Sequence, residues 1–332
     1  MRYSIVFIAA LSASVQAHGV ITQVQGANGV NMPGLSVADG TPRDSPSPLS
    51  GAEADTSIIR AKEMGGKASA LGRTANGPVS AAAAISTFMG GAAGAAAPAA
   101  GAGAAGAAAG GAAAGGAKAA KAGGAGGIAA AIAGAAKGGK GAAANKRGLL
   151  DALTGGTAAK GGAGGAAAGT KTPKGTTEAG VSAAAGAGAA SGLPTTADDG
   201  TITMTFHQVN QDGAGPLTAM IDPTSAGTDP AAFQAATVTQ NVPGIGIGGL
   251  SAASTMDFPV KVQMPAGMTC QGTAGGATNV CVVRMQNAAL AGPFGGSAAF
   301  TQSTAAKKRA VEYNLRKRHF ARGILGKAPC DE

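Results

Sequence analysis

The sequence predicts a mainly β protein: an antiparallel β-sandwich, immunoglobulin-like in its short strands, interrupted by a long disordered Ala/Gly-rich insertion. Three observations lead there. Residues 201–209 (TITMTFHQV) alternate, with Ile202, Met204 and Phe206 on one face and Thr201, Thr203, Thr205 and His207 on the other, the period of a half-buried strand. Short runs of the same kind recur across 193–302 between Gly- and Pro-rich turns. Residues 81–190 hold 48 Ala and 30 Gly in 110 positions, a composition that buries too little apolar surface to offset its ordering entropy.

Taken in order, residues 1–17 read as a secretory signal peptide. Arg2 gives the positive start, 5–11 an apolar run, and Val15-Gln16-Ala17 a small-residue cleavage site. The run is too short to span a bilayer, so a secreted protein, extracellular or in the cell wall, is expected. Residues 18–80 form the first part of the sandwich. Gly19–Gln25 (GVITQVQ) reads as a strand, Gly/Asn/Pro-rich turns follow, 42–50 is a loop, and 54–63 reads as a short helix. Residues 81–192 are the Ala/Gly/Lys tract, where each interior glycine costs a helix about 1 kcal/mol. Gly101, Gly103 and Gly106 match a dinucleotide fingerprint by chance, since no strand precedes them. Residues 193–302 form the second part. Its strand candidates are 201–209, then 217–221 pairing back across the turn 211–216 (QDGAGP), then 233–242, 258–264 and 280–287. Residues 303–332 are a basic C-terminal tail.

Charge and composition exclude several classes. The net charge of +9 resolves into +7 over 81–190, +5 over 301–332 and +1 from Arg2, while 18–80 with 191–300 carries −4. No basic recognition surface falls on the folded part, so a specific nucleic-acid partner is not expected. Trp is absent and the tyrosines are Tyr3 and Tyr313, which argues against a large multi-domain enzyme. Asp198-Asp199 reads as a turn, because neighbours on a strand point to opposite faces and cannot serve one glycosidase site. No nucleophile elbow supports a Ser-His-Asp hydrolase. Cys270 and Cys281, eleven apart around a Gly/Thr/Ala turn, suit a disulfide closing a hairpin, with Cys330 left over.

Two histidines carry the sharpest chemistry. Cleavage after Ala17 gives His18 a free α-amine beside its imidazole. With a second imidazole from His207, these make a T-shaped three-nitrogen metal site of the kind that suits Cu(II), so copper is the cofactor this pair implies. On residues alone His207 is equally a hydrogen-bonded strand histidine. His319, between Arg318 and Phe320, is part of the basic tail and not a ligand.

Three stretches carry a resemblance: 18–41 (HGVITQVQGANGVNMPGLSVADGT), 204–223 (MTFHQVNQDGAGPLTAMIDP) and 287–302 (NAALAGPFGGSAAFTQ). Together they resemble the appressorium-specific, Egh-like (MAS-type) secreted virulence-factor family of pathogenic fungi. That implies secretion by a fungus and a role at the host surface during penetration, without implying a reaction. The His-Gly start and strand histidine are also similar to lytic polysaccharide monooxygenase-type sandwiches, which implies a copper brace of His18 and His207 with Phe294 as candidate axial neighbour. Tyr313 lies in the tail and is not an axial ligand. The expected role is a virulence-associated protein that interacts with fungal or host cell-wall polysaccharide or host surface. The alternatives are a copper-dependent polysaccharide monooxygenase and a precursor of a basic peptide cut at Arg309 or Arg318. Membrane contact by the tail is not expected.

Overall fold

A computed structural model describes residues 18–91, 165–211, 213–244, 251, 253–289 and 292–325. The expected signal peptide, the centre of the Ala/Gly tract with Gly101–Gly106, Asp212 and Cys330 lie outside the described residues. The strands are β1 (Gly19–Gln25), β2 (Asn31–Pro33), β3 (Ser57–Ile58), β4 (Arg73–Thr74), β5 (Gly77–Pro78), β6 (Gly165–Ala166) and β7 (Thr170–Lys171). After them come β8 (Thr201–Gln208), β9 (Thr218–Asp222), β10 (Gln234–Asn241), β11 (Met256–Gln263), β12 (Gly272–Ala274), β13 (Ala277–Gln286) and β14 (Phe294–Phe300). Among the described residues the α-helices are α1 (Ala81–Phe88), α2 (Gly180–Ala183), α3 (Gly188–Ser191) and α4 (Thr304–Leu325).

One hydrogen-bonded path runs β2-β1-β8-β11-β10-β9-β13-β14-β3-β4-β5, antiparallel at every step. The path curls because β10 serves both halves: Ala236 and its predecessors pair with β9, and Thr237 onward pairs with β11. The mainly β, antiparallel expectation therefore holds, with the two layers joined into a half-barrel. Gly296 of β14 approaches β1 so closely that a Cβ would lie 2.5 Å from the Ile21 nitrogen. Only glycine permits that contact.

Alternation decides what faces inward. Ile202, Met204 and Phe206 of β8 and Phe258, Val260 and Val262 of β11 are buried together in the core, each contributing about 1.5–3 kcal/mol on leaving water. Cys270 and Cys281 are joined across the β12–β13 hairpin, their Cα atoms 5.0 Å apart.

Three expectations change. The 54–63 helix is instead β3 followed by a 3-10 turn at Ala61–Glu63; Ser57 and Ile58 pair with Gly295 and Phe294, and that tertiary pairing overrides local propensity. Residues 217–221 do not pair back onto β8, because β9 lies between β10 and β13. Ordered structure also enters the Ala/Gly tract from both sides. Ser80 caps α1 by accepting from the Ala83 N–H at 3.2 Å, worth about 1 kcal/mol, and Ile85 and Phe88 enter the core. On the far side Gly188 of α3 lies against the Phe88 ring, 2.6 Å from a built Cβ.

Candidate functional site

β8 carries His207 on the face opposite its core residues, as alternation requires. The side chain is nonetheless buried, at 1% exposure. Directly across the ladder stands Asp257 of β11, whose Oδ1 lies 2.8 Å from His207 Nδ1. Thr172 donates its hydroxyl to the other carboxylate oxygen at 3.3 Å. The imidazole is thus held by one nitrogen, while Nε2 is buried with no hydrogen-bond partner among the described residues. A carboxylate behind one ring nitrogen is the arrangement that orients a histidine for ligation through the other.

His18 sits just before β1, and Val20 pairs with His207 in the register. The two histidines therefore occupy diagonal positions on neighbouring strands, near the distance across which long side chains reach one another. His18 has its own partners. Its backbone nitrogen donates to Asn210 Oδ1 at 2.8 Å, and its Nδ1 lies 3.3 Å from Glu53 Oε1. Asn210 Nδ2 also donates to Glu53 Oε1 at 2.9 Å. The Phe294 ring packs against the His18 ring with centroids 4.4 Å apart at 44°, so the structure brings these two predicted residues together. His18 and His207 are each drawn to a separate carboxylate.

The donor set fits copper in part. His207 presents Nε2 with Nδ1 restrained, as a ligand should. His18 offers its backbone nitrogen and Nδ1, the two atoms a brace requires, and both are directed at the Glu53–Asn210 pair. Among the described residues no three His, Cys, Asp or Glu side chains form a metal-holding group, so Glu53 and Asp257 do not extend the pair into a larger site.

Beside Asp257 lies an open groove of about 550 Å³, walled by the outer face of β1 and β8 and by residues 172–187. Thr22, Gln23, Asn31, Thr205 and Asp257 give it polar groups, and Pro33 and Ala184 give it apolar surface. Arg43 fastens its rim. The guanidinium meets Asp55 through Nη1 at 2.9 Å and Nη2 at 2.5 Å, and Glu178 through Nε at 3.0 Å and Nη2 at 2.8 Å. Burial opposes the Arg43 charge, but hydrogen bonds and charge from Asp55, then Glu178, outweigh it and hold its pKa above the ordinary value. Glu53, Asn210, Asp257 and Arg43 were not legible as site residues. Asn210 lies three positions after His207, but its partner Glu53 is remote in sequence.

Fold and site together define a class: a mainly β, disulfide-linked domain with two carboxylate-held histidines, the carboxylate of one of them, Asp257, lining a groove of mixed polarity. The chain belongs to the Egh16-like virulence factor family, whose model matches residues 16–295. It is 52% identical over 336 residues, covering all of both chains, to the appressoria-specific virulence factor GAS2 of Pyricularia oryzae. It is 40% identical over 131 residues to the appressoria-specific virulence factor GAS1 of that fungus, covering 38% of this chain and 51% of GAS1. No solved structure matches the chain. No helix among the described residues is long and apolar enough to cross a membrane.

Proposed function

We propose that this fungal virulence factor is exported and acts at host penetration as a non-catalytic protein that holds to cell-wall polysaccharide. The observation that carries the reading is the groove beside Asp257. A sugar ring has apolar faces and a hydroxyl edge, and the groove offers apolar surface at Pro33 and Ala184 with amide, hydroxyl and carboxylate groups at Gln23, Asn31, Thr205 and Asp257. Export is supported by the Cys270–Cys281 disulfide, which suits an oxidising compartment. The test is co-sedimentation of the mature protein with insoluble wall polysaccharide. Gln23→Ala with Asn31→Ala weakens retention and His207→Ala does not; equal retention of the double variant and the parent overturns the reading.

A second reading, a copper-dependent polysaccharide oxidoreductase, is favoured by one observation: His207 Nε2 is buried without a partner while Asp257 holds Nδ1. Copper bound there would supply oxidative chemistry on polysaccharide. His18 and His207 would hold it, and the Phe294 ring would bound the His18 side. Cu(II) titration followed by electron paramagnetic resonance tests this, with a control carrying one extra residue before His18. A nitrogen-ligated signal lost in the control supports the reading, and equal weak binding in both retires it.

A further inference from the structure

We infer that the outer part of α4 is a docking element for an acidic polysaccharide, one bearing carboxylate groups along its chain. The inference extends the wall-binding reading to a second surface and rests on that reading only for the compartment. Between Thr304 and Phe320 the helix carries Lys307, Lys308, Arg309, Arg316, Lys317 and Arg318 against Glu312 alone. Its first turns are fixed to the body. Ser303 Oγ donates to Asp198 Oδ1 at 3.1 Å, Ala306 and Ala310 are buried, and Asn314 Nδ2 donates to the Gly267 carbonyl at 2.9 Å. Beyond Asn314 the described side chains, from Leu315 to Phe320, are exposed.

The angular distribution of charge selects the partner. At about 100° per residue, Lys317 falls on the same side as Ala310. Lys307 and Arg318 fall on one flank, Arg309 and Arg316 on the other, and Lys308 opposite. The charges encircle the helix. A helix lying in a bilayer surface needs a polar face and an apolar face separated from each other, and this one lacks that separation although Phe320 is 75% exposed. A thin, flexible polyanion meets charges from every side. A rigid duplex laid along α4 would also meet the body, where 18–80 with 191–300 carries −4.

The probe is polygalacturonate, tested against neutral β-glucan, vesicles containing phosphatidylserine, and double-stranded DNA, with the full secreted chain. The parent binds polygalacturonate most tightly, and binding weakens as salt rises. Arg316→Gln with Lys317→Gln and Arg318→Gln lowers affinity about tenfold or more, while Phe320→Ala leaves it unchanged and helix content by circular dichroism is equal in all three proteins. The inference is overturned if the triple variant binds as well as the parent, if vesicles or DNA are preferred, or if Phe320→Ala abolishes binding. The Gln23→Ala/Asn31→Ala variant separates the two surfaces, because it keeps polygalacturonate binding while losing neutral wall polysaccharide. Failure of either surface is then read independently of the other.

Discussion

Asp257 stands directly opposite His207 in the β8–β11 ladder and takes up its Nδ1 at 2.8 Å, which leaves a buried imidazole with one committed nitrogen and one open one. The pair ties the outer face of the sheet to the rim of the groove through Thr172. Asp257→Ala removes the partner of a buried polar group, a change that costs about 1–3 kcal/mol. Urea unfolding measures it, and an unchanged midpoint would show that the pair contributes nothing to stability.

Arg43 is almost fully enclosed with two carboxylates. Losing Asp55 leaves the Arg43 Nη1 donor without its acceptor while Glu178 still pairs the charge, so Asp55→Ala is expected to destabilise by about 1–3 kcal/mol. Replacing Arg43, Asp55 and Glu178 together by apolar residues of similar size should recover most of that loss. Denaturation of the single and triple variants decides the point. A triple variant worse than the single would mean that the network contributes net stability.

Asp222 gives the fold an acid limit. Burial raises its pKa, but hydrogen bonds from Ser225, Gly227 and Thr224 outweigh this and hold it below its ordinary 3.8. Because the folded value is the depressed one, the stabilisation is complete above the unfolded value and is lost as pH falls through the folded one. Asp222→Asn is expected to be less stable at neutral pH and to show a flatter decline below about pH 4. Parallel acid-unfolding curves for the two proteins would contradict this.

The β12–β13 hairpin is closed by Cys270–Cys281. Replacing both cysteines by alanine should lower stability by about 2–4 kcal/mol, read as a shift in thermal midpoint. No shift would mean that the hairpin pairing alone holds the segment.

The two basic triplets differ in setting, which bears on release of a basic peptide. Arg309 lies beside the buried Ala310 and contributes, after the Thr201 hydrogen bonds, to holding the Asp199 pKa low. Arg318 lies on the exposed part of α4. Limited trypsin digestion should therefore cut after Arg316–Arg318 well before Arg309, and the reverse order would mean that the first turns of α4 open easily.

Much of the β architecture is written locally. β1, β8, β11 and β13 alternate or run apolar between turn residues, and periodicity finds them. β14 escaped because all seven of its residues are buried; a strand covered on both faces has no alternation to show. α1 escaped because its neighbours are alanine, although Ser80, Ile85 and Phe88 contain the cap and the apolar face. His18, His207 and Phe294 were visible as residue types and through resemblance. Their partners Glu53, Asn210 and Asp257 depend on register between distant segments, which composition does not encode. Asp257 is identified only once β8 is known to pair with β11 and not with β9.

The role proposed for this member of the Egh16-like family lies outside the cell, fastened to the wall. The most direct test is to recover the protein from fungal culture, separate medium, wall and cell fractions, and determine its N-terminus by mass spectrometry. The expected result is a chain beginning at His18, enriched in the wall fraction and released by excess soluble wall polysaccharide. Retention inside the cell with residues 1–17 still attached would contradict it.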